Sequence, residues 1–72
     1  MMVQVVVYPP AQDGGRRVRV GDRFVGMAYT LLDVAEFLEQ AGLDIEDPED
    51  VVAADWVEWR GGGPEVWLPR RP

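Results

Sequence analysis

The chain lacks five residue types altogether: it has no Cys, His, Lys, Ser or Asn, and its only Thr is Thr30. The absence of Ser, Cys and His excludes the nucleophile–histidine pairs of hydrolases, and the absence of Lys excludes Schiff-base chemistry. The absence of Cys and His also excludes thiolate and imidazole metal sites, and the absence of Cys excludes disulfide bonds. We therefore predict that the protein is not an enzyme and needs neither a metal nor a cofactor.

Long apolar runs are also missing, and none approaches the roughly 20 residues that a membrane-spanning helix needs. The apolar N-terminus has no basic segment, is interrupted by Gln4 and ends at Pro9-Pro10, so it does not have the pattern of a signal peptide. At 72 residues and 8.1 kDa, residues 1–72 fit one domain. We expect a single, soluble, cytoplasmic domain that does not contact a membrane.

The N-terminal part of the chain carries the patterns of three strands. Residues 3–8 are rich in Val and predict a strand in the middle of a sheet. Residues 16–20 and 23–27 flank Gly21-Asp22, a pair typical of a type II′ hairpin turn. The resulting register pairs Val20 with Arg23, Arg19 with Phe24, Val18 with Val25 and Arg16 with Met27. It places Val18, Val20, Val25 and Met27 on the core side.

Two helical segments follow. Thr30 is a typical N-cap, apolar residues then recur at helical spacing, and Gly42 is a typical C-terminal stop, so the main helix is predicted over residues 30–41. Asp47-Pro48 predicts the start of a short acidic helical turn over residues 48–54, with Val51 and Val52 directed toward the core.

The C-terminal part predicts a closing hairpin of residues 56–60 and 65–68 around Gly61-Gly62-Gly63-Pro64. Its register pairs Arg60 with Glu65, Trp59 with Val66, Glu58 with Trp67 and Val57 with Leu68. The predicted fold class is α+β: a mostly antiparallel sheet of four to five strands with the main helix on one face. This element order resembles β-grasp domains. However, the chain ends in Arg70-Arg71-Pro72 and not in the Gly-Gly of the carrier proteins, so the resemblance implies a fold and no conjugation activity.

The base composition of the coding sequence offers one explanation for seven Arg and no Lys, because Arg codons are rich in GC and Lys codons are not. Together with the abundance of Ala, Gly, Val, Asp and Pro, this composition resembles that of small uncharacterised proteins of high-GC actinobacteria. The resemblance is one of composition and implies no activity.

Charge is segregated along the chain. Residues 1–29 carry four Arg and two Asp, residues 30–59 carry ten acidic residues and no base, and residues 60–72 carry three Arg and one Glu. The protein is therefore expected to be bipolar unless folding brings the two signs together. The acidic run is either a solvated face or a surface that attracts a basic partner. The acidic residues 44–50 lack the glycine and terminal glutamate of a calcium loop, so we predict no calcium site.

Two binding functions remain. The first is a binding or regulatory module that acts through a protein partner or as a homodimer, because the predicted hairpin exposes Trp56 and Trp67 with Glu58. The alternative is a nucleic-acid-binding module that uses Arg16, Arg17, Arg19, Arg23 and Phe24, with Tyr8 as a second stacking face. A sequence pI near 4.3 opposes this alternative.

Overall fold

The structure, a computed structural model, describes residues 4–67. It contains four strands and two helices in the order β1 (Val5–Val7), β2 (Arg16–Val20), β3 (Arg23–Ala28), α1 (Leu31–Gln40), α2 (Pro48–Ala53) and β4 (Val57–Trp59). The α+β class is confirmed. Within residues 4–67, no helix is long and apolar enough to cross a membrane.

The four strands form one mixed sheet in the order β3-β2-β1-β4. β1 and β3 are antiparallel to β2, whereas β4 is parallel to β1. The predicted central position of β1 is confirmed, and its residues Val5, Val6 and Val7 are all fully buried. The mostly antiparallel sheet was a wrong prediction, because the connection through α1 and α2 returns the chain to the end of the sheet from which β1 starts.

The predicted C-terminal hairpin is wrong as well. Residues 65–67 are not a strand, and Leu68 lies outside the described residues. Residues 60–67 instead form a loop, whose carbonyl groups are occupied by a side chain of β2. Glu65, Val66 and Trp67 therefore do not pair with Arg60, Trp59 and Glu58.

The hairpin of β2 and β3 follows the predicted register only beside its turn. Val20 lies opposite Arg23 and Arg19 opposite Phe24, as predicted, but a β-bulge then shifts the pairing by one residue. Beyond the bulge the pairs are Val18–Gly26, Arg17–Met27 and Arg16–Ala28. The bulge places a glycine beneath α1, where a Cβ atom on Gly26 would lie 2.9 Å from Cζ of Phe37. Met27 consequently lies opposite Arg17, on the face away from the core.

The predicted helix 30–41 is confirmed, with Thr30 and Ala41 as its capping residues. The Thr30 hydroxyl accepts a hydrogen bond from the backbone N–H of Asp33 at 3.2 Å. At the other end Gly42 N–H donates to Glu39 O and Leu43 N–H donates to Leu38 O, the hydrogen bonds of a Schellman motif. These caps determine where α1 begins and where it ends.

The short acidic helix is also present, as α2. The carboxylate of Asp50 accepts hydrogen bonds from the backbone N–H groups of Glu46 and Asp47, at 2.9 and 3.0 Å. Val51 is fully buried, but Val52 is 51% exposed, so only one of the two predicted core contacts forms. Consecutive residues of a helix point about 100° apart, so Val52 points away from the core when Val51 faces it.

The core lies between one face of the sheet and the two helices. It combines Val5, Val7, Val18, Ala28 and Val57 from the strands with Val34, Ala35, Leu38, Ile45 and Val51 from α1, α2 and their connection. Val6 is fully buried but is not part of this cluster, because successive strand residues point to opposite faces. Among residues 4–67, no helix packs on the face to which Val6 points.

Candidate functional site

Arg16 is the most deeply buried charged residue of the described chain, with no exposed surface. It lies on the core side of β2, in line with Val18. Its Nε donates to Tyr8 O, Nη1 donates to Gly63 O and Val66 O, and Nη2 donates to Arg60 O and Gly62 O, at 2.7 to 2.9 Å. All five N–H groups of the guanidinium are therefore used by backbone carbonyl groups.

We call these five carbonyl groups around Arg16 the carbonyl cage. Two tryptophans complete it. The guanidinium carbon of Arg16 lies 5.4 Å from the ring centroid of Trp59 and 5.5 Å from that of Trp67. The two indoles meet edge to face, 6.3 Å apart, and Trp67 Nε1 donates to Pro64 O at 2.6 Å. Burial lowers the pKa of Arg16, and the charge of Glu65 partly offsets this effect. The cage fixes the course of residues 60–67.

The cage changes the predicted tryptophan patch. Trp67 is half-buried against Arg16, and Trp56 is half-buried against the core beside Ile45 and Ala54. Glu58 belongs to neither group, since it lies opposite Val6 on the uncovered face of the sheet. The structure therefore does not bring Trp56, Trp67 and Glu58 together, because the hairpin that would have aligned them is absent.

The uncovered face of the sheet carries a second cluster, which we call the arginine face. It is defined by Tyr8, Arg17, Arg19, Phe24, Glu58 and Arg60. The strand register places Arg19 opposite Phe24 on one side and opposite Val6 on the other, and Val6 opposite Glu58. Arg17 and Arg60 flank Tyr8, since Arg17 O accepts a hydrogen bond from Tyr8 N–H and Arg60 N–H donates to Val7 O.

Tyr8 is the centre of this face. The guanidinium carbons of Arg17, Arg19 and Arg60 lie 5.5, 5.8 and 5.5 Å from the centroid of its ring. Arg17 also lies 5.7 Å from the ring of Phe24, which is 54% exposed. Cations within about 6 Å of an aromatic face are attracted by its quadrupole. Three like charges are thus held around one ring, with a second aromatic ring beside them.

The arginine face contains a single carboxylate, Glu58, which forms an ion pair with Arg60 and accepts a hydrogen bond from Gln4 Nε2 at 2.8 Å. The bond from Arg60 lowers the pKa of Glu58, and that bond raises the pKa of Arg60. This is the only ion pair within residues 4–67. Arg17, Arg19 and Arg23 form none with the carboxylates described, and Nε of Arg19 is buried without a hydrogen-bond partner.

The acidic residues lie in the other layer. Exposed carboxylates follow α1, α2 and their connection, on the side of the sheet opposite the arginine face: Glu36, Glu39, Asp44, Glu46, Asp47, Glu49 and Asp50. We call this the acidic helical layer. Folding therefore preserves the charge segregation of the sequence. Residues 4–67 bring together no group of three or more carboxylates that could hold a metal ion.

The predicted nucleic-acid set is brought together in part. Arg17, Arg19 and Phe24 share the arginine face, and Arg23 is exposed at the adjoining hairpin turn. Arg16 points the opposite way, into the carbonyl cage, so it is removed from this set. The sequence reading missed Arg60, which reaches Tyr8 because β4 pairs with β1 in parallel. The unbroken run of Val in β1, which is typical of a strand buried on both faces, was the one signal that β1 has a partner strand on each side.

Comparison with known proteins adds no assignment to this geometry: no protein-family model, no curated protein and no solved structure matches the chain.

Proposed function

We propose that this protein is a small binding module that acts through a macromolecular partner, and that its arginine face is the surface that binds an anionic region of that partner. One observation carries the proposal: three guanidinium groups surround the ring of Tyr8 on a sheet face that no described helix covers. The proposal is for binding without catalysis, since the chain has no Ser, Cys, His or Lys to act as a nucleophile or as a base near neutral pH.

The hydrogen-bonding state of the arginines supports this function. Arg16 uses its five donors within the protein, whereas Arg17 and Arg19 form no ion pair with a carboxylate of residues 4–67. The aromatic rings beside these two arginines hold the side chains in place but leave guanidinium N–H donors for a ligand. A guanidinium held in this way binds carboxylate or phosphate oxygens with two parallel hydrogen bonds and loses little conformational entropy.

The formal net charge of −6 does not oppose a local anion site. The acidic helical layer lies on the far side of helices that are about 10 Å across with their side chains. The Debye length is about 8 Å at physiological ionic strength, so its repulsion is largely screened at the arginine face. Within that face three arginines outnumber the single Glu58.

A second candidate is self-association, which the segregation of charge favours. The acidic helical layer of one copy is complementary in sign to the arginine face of another. Such a contact joins two different surfaces, so it is of the head-to-tail type. Sedimentation at low and high salt tests it, because electrostatic association weakens as salt is added.

The main test is a titration of the ¹⁵N-labelled full chain with two polyanions, poly-L-glutamate and a short oligothymidylate, followed by NMR. We expect shifts at Tyr8, Arg17 and Arg19 that disappear at about 0.5 M salt. Arg17→Gln should weaken binding severalfold. Val52→Glu makes the same change in net charge on α2 and should have little effect. Shifts confined to α1 and α2, or equal weakening by both variants, would contradict the proposal.

A further inference from the structure

We infer that the anionic partner of the arginine face is a single-stranded nucleic acid, with its phosphates on Arg17, Arg19 and Arg60 and a base stacked on Phe24. This inference rests on the proposed function and adds the chemical class of the partner. It depends on the alternation of guanidinium groups and aromatic rings across one open sheet.

The aromatic rings of the arginine face favour a partner with a planar group. Phe24 is 54% exposed beside the guanidinium of Arg17, and Tyr8 lies among three guanidiniums. A nucleobase presents a π-face that stacks on an aromatic ring or on a guanidinium plane, whereas a carboxylate side chain has no such face. An acidic peptide would satisfy the charges of this surface but would leave the exposed face of Phe24 without a partner.

The guanidinium groups of the arginine face are spaced along and across the sheet. Arg17 and Arg19 lie two residues apart on β2, which sets their Cα atoms about 7 Å apart along the strand. Arg60 lies across β1, beside Tyr8. The three guanidiniums therefore form a short, curved band around one ring and not a single point of charge. A band of separate donors fits the repeated phosphates of a nucleic-acid backbone.

The shape of the arginine face favours single strands over duplexes. Arg19 and Tyr8 are half-buried in a sheet face. Within residues 4–67, no helix or hairpin projects from this face to enter the groove of a nucleic-acid duplex. The bases of a duplex are stacked and paired, so their π-faces are not free to meet Phe24. An unpaired strand offers both its backbone and its bases to a flat, positively charged surface.

Three ligands of similar charge test the inference: a labelled oligothymidylate of about 12 nucleotides, an abasic strand with the same number of phosphates, and poly-L-glutamate. Fluorescence anisotropy measures the affinity of the full chain for each. We expect the oligothymidylate to bind about tenfold more tightly than the abasic strand, as one stacked base contributes.

Two variants locate the contacts. Phe24→Leu should weaken binding of the oligothymidylate about tenfold and leave the abasic strand unchanged, and Phe24→Trp, which keeps a stacking ring, should retain the affinity. Arg19→Gln should reduce the slope of log K against log salt by about 0.7, the value for one phosphate contact on a single strand. Val52→Glu should keep the slope.

The outcomes separate this inference from the proposed function. Equal affinity for the oligothymidylate and the abasic strand, or loss of both with Phe24→Leu, would overturn the assignment of a base to Phe24. Tighter binding of poly-L-glutamate than of the oligothymidylate would overturn the nucleic-acid assignment and favour an acidic protein, with the proposed function intact. If none of the three ligands binds, the inference and the proposed function both fail.

Discussion

Arg16 and Arg17 are neighbours in β2, yet their guanidiniums serve opposite faces of the sheet. Arg16 is fully buried and donates all its hydrogen bonds to the carbonyl cage, whereas Arg17 is exposed and packs on Tyr8 and Phe24. Strand alternation separates the two side chains, and the loop that covers one of them decides their roles. One guanidinium is enclosed within the protein, and the other is exposed to solvent.

This difference predicts that one conservative substitution is severe and the other mild. Arg16→Lys keeps the charge but has three donors in place of five and no planar group for Trp59 and Trp67 to enclose. We expect it to lower the free energy of unfolding by about 3 kcal/mol, since charge-assisted hydrogen bonds to buried carbonyl groups are lost. Arg17→Lys should change it by less than about 0.5 kcal/mol. Urea denaturation followed by tryptophan fluorescence measures both, and similar losses would refute the cage as a stabilising element.

The close approach of β3 and α1 predicts that two Gly→Ala substitutions differ in their cost to stability. A methyl group on Gly26 would lie 2.9 Å from the ring of Phe37, whereas one on Gly21 would meet nothing within 4 Å. Both glycines have positive φ values, of 155° and 62°, so Ala is strained at either site. We expect Gly21→Ala to cost about 1 kcal/mol and Gly26→Ala to cost about 1–3 kcal/mol more, because the ring of Phe37 must shift away from the added methyl group. Thermal unfolding measures the difference, and equal melting temperatures would mean that the bulge does not set the helix position.

The start of α2 gives a prediction for pH dependence. Hydrogen bonds from the backbone N–H groups of Asp47 and Glu46 lower the pKa of Asp50. A carboxyl group with a lowered pKa in the folded state contributes stability above its unfolded pKa and loses that contribution as the pH falls through the folded value. The difference in melting temperature between the protein and Asp50→Asn should therefore be largest near neutral pH and should shrink below about pH 4. A difference that stays constant down to pH 2 would show that the carboxylate charge plays no part.

The loss of Glu58, the only carboxylate of the arginine face, should change the affinity of this face for an anionic ligand. Glu58→Gln removes the ion pair with Arg60, so that the Nε donor held by Glu58 becomes available to a ligand in addition to the Nη groups. Binding of oligothymidylate should become severalfold tighter at low salt. Glu36→Gln changes the net charge equally on α1 and should have a smaller effect. Anisotropy titrations of the two variants provide the measurement, and weaker binding by Glu58→Gln would show that Glu58 holds Arg60 in its binding position.

Local features of the sequence were reliable where short-range physics decides the structure. The caps at Thr30 and Gly42 and the Pro at the start of α2 each act within a few residues, and all three were confirmed. The turn at Gly21-Asp22 fixed the two nearest pairs of its hairpin. Such features depend on backbone groups that are adjacent in the chain, so no knowledge of distant elements is needed.

The candidate site was harder to predict, because it depends on contacts between distant segments. Arg17, Arg19 and Phe24 come from one hairpin and were predicted together, as part of the nucleic-acid-binding set. Arg60 joins them from the far end of the described chain through a parallel pairing that leaves no mark at Arg60 itself. A glycine-rich stretch is typical of a turn between two strands, and nothing in residues 61–64 reveals that the carbonyl groups of Gly62 and Gly63 accept hydrogen bonds from Arg16.

The sequence by itself determined the three N-terminal strands, the two helices and their ends, the segregation of charge and the absence of reactive side chains, because each of these depends on composition or on neighbours in the chain. Only the tertiary structure decided that β4 lies parallel to β1, that a bulge moves Met27 away from the core, and that Arg16 is enclosed while Arg17 is free. The reason is that an arginine needs many acceptors to be buried, and those acceptors lie as many as 50 residues away along the chain.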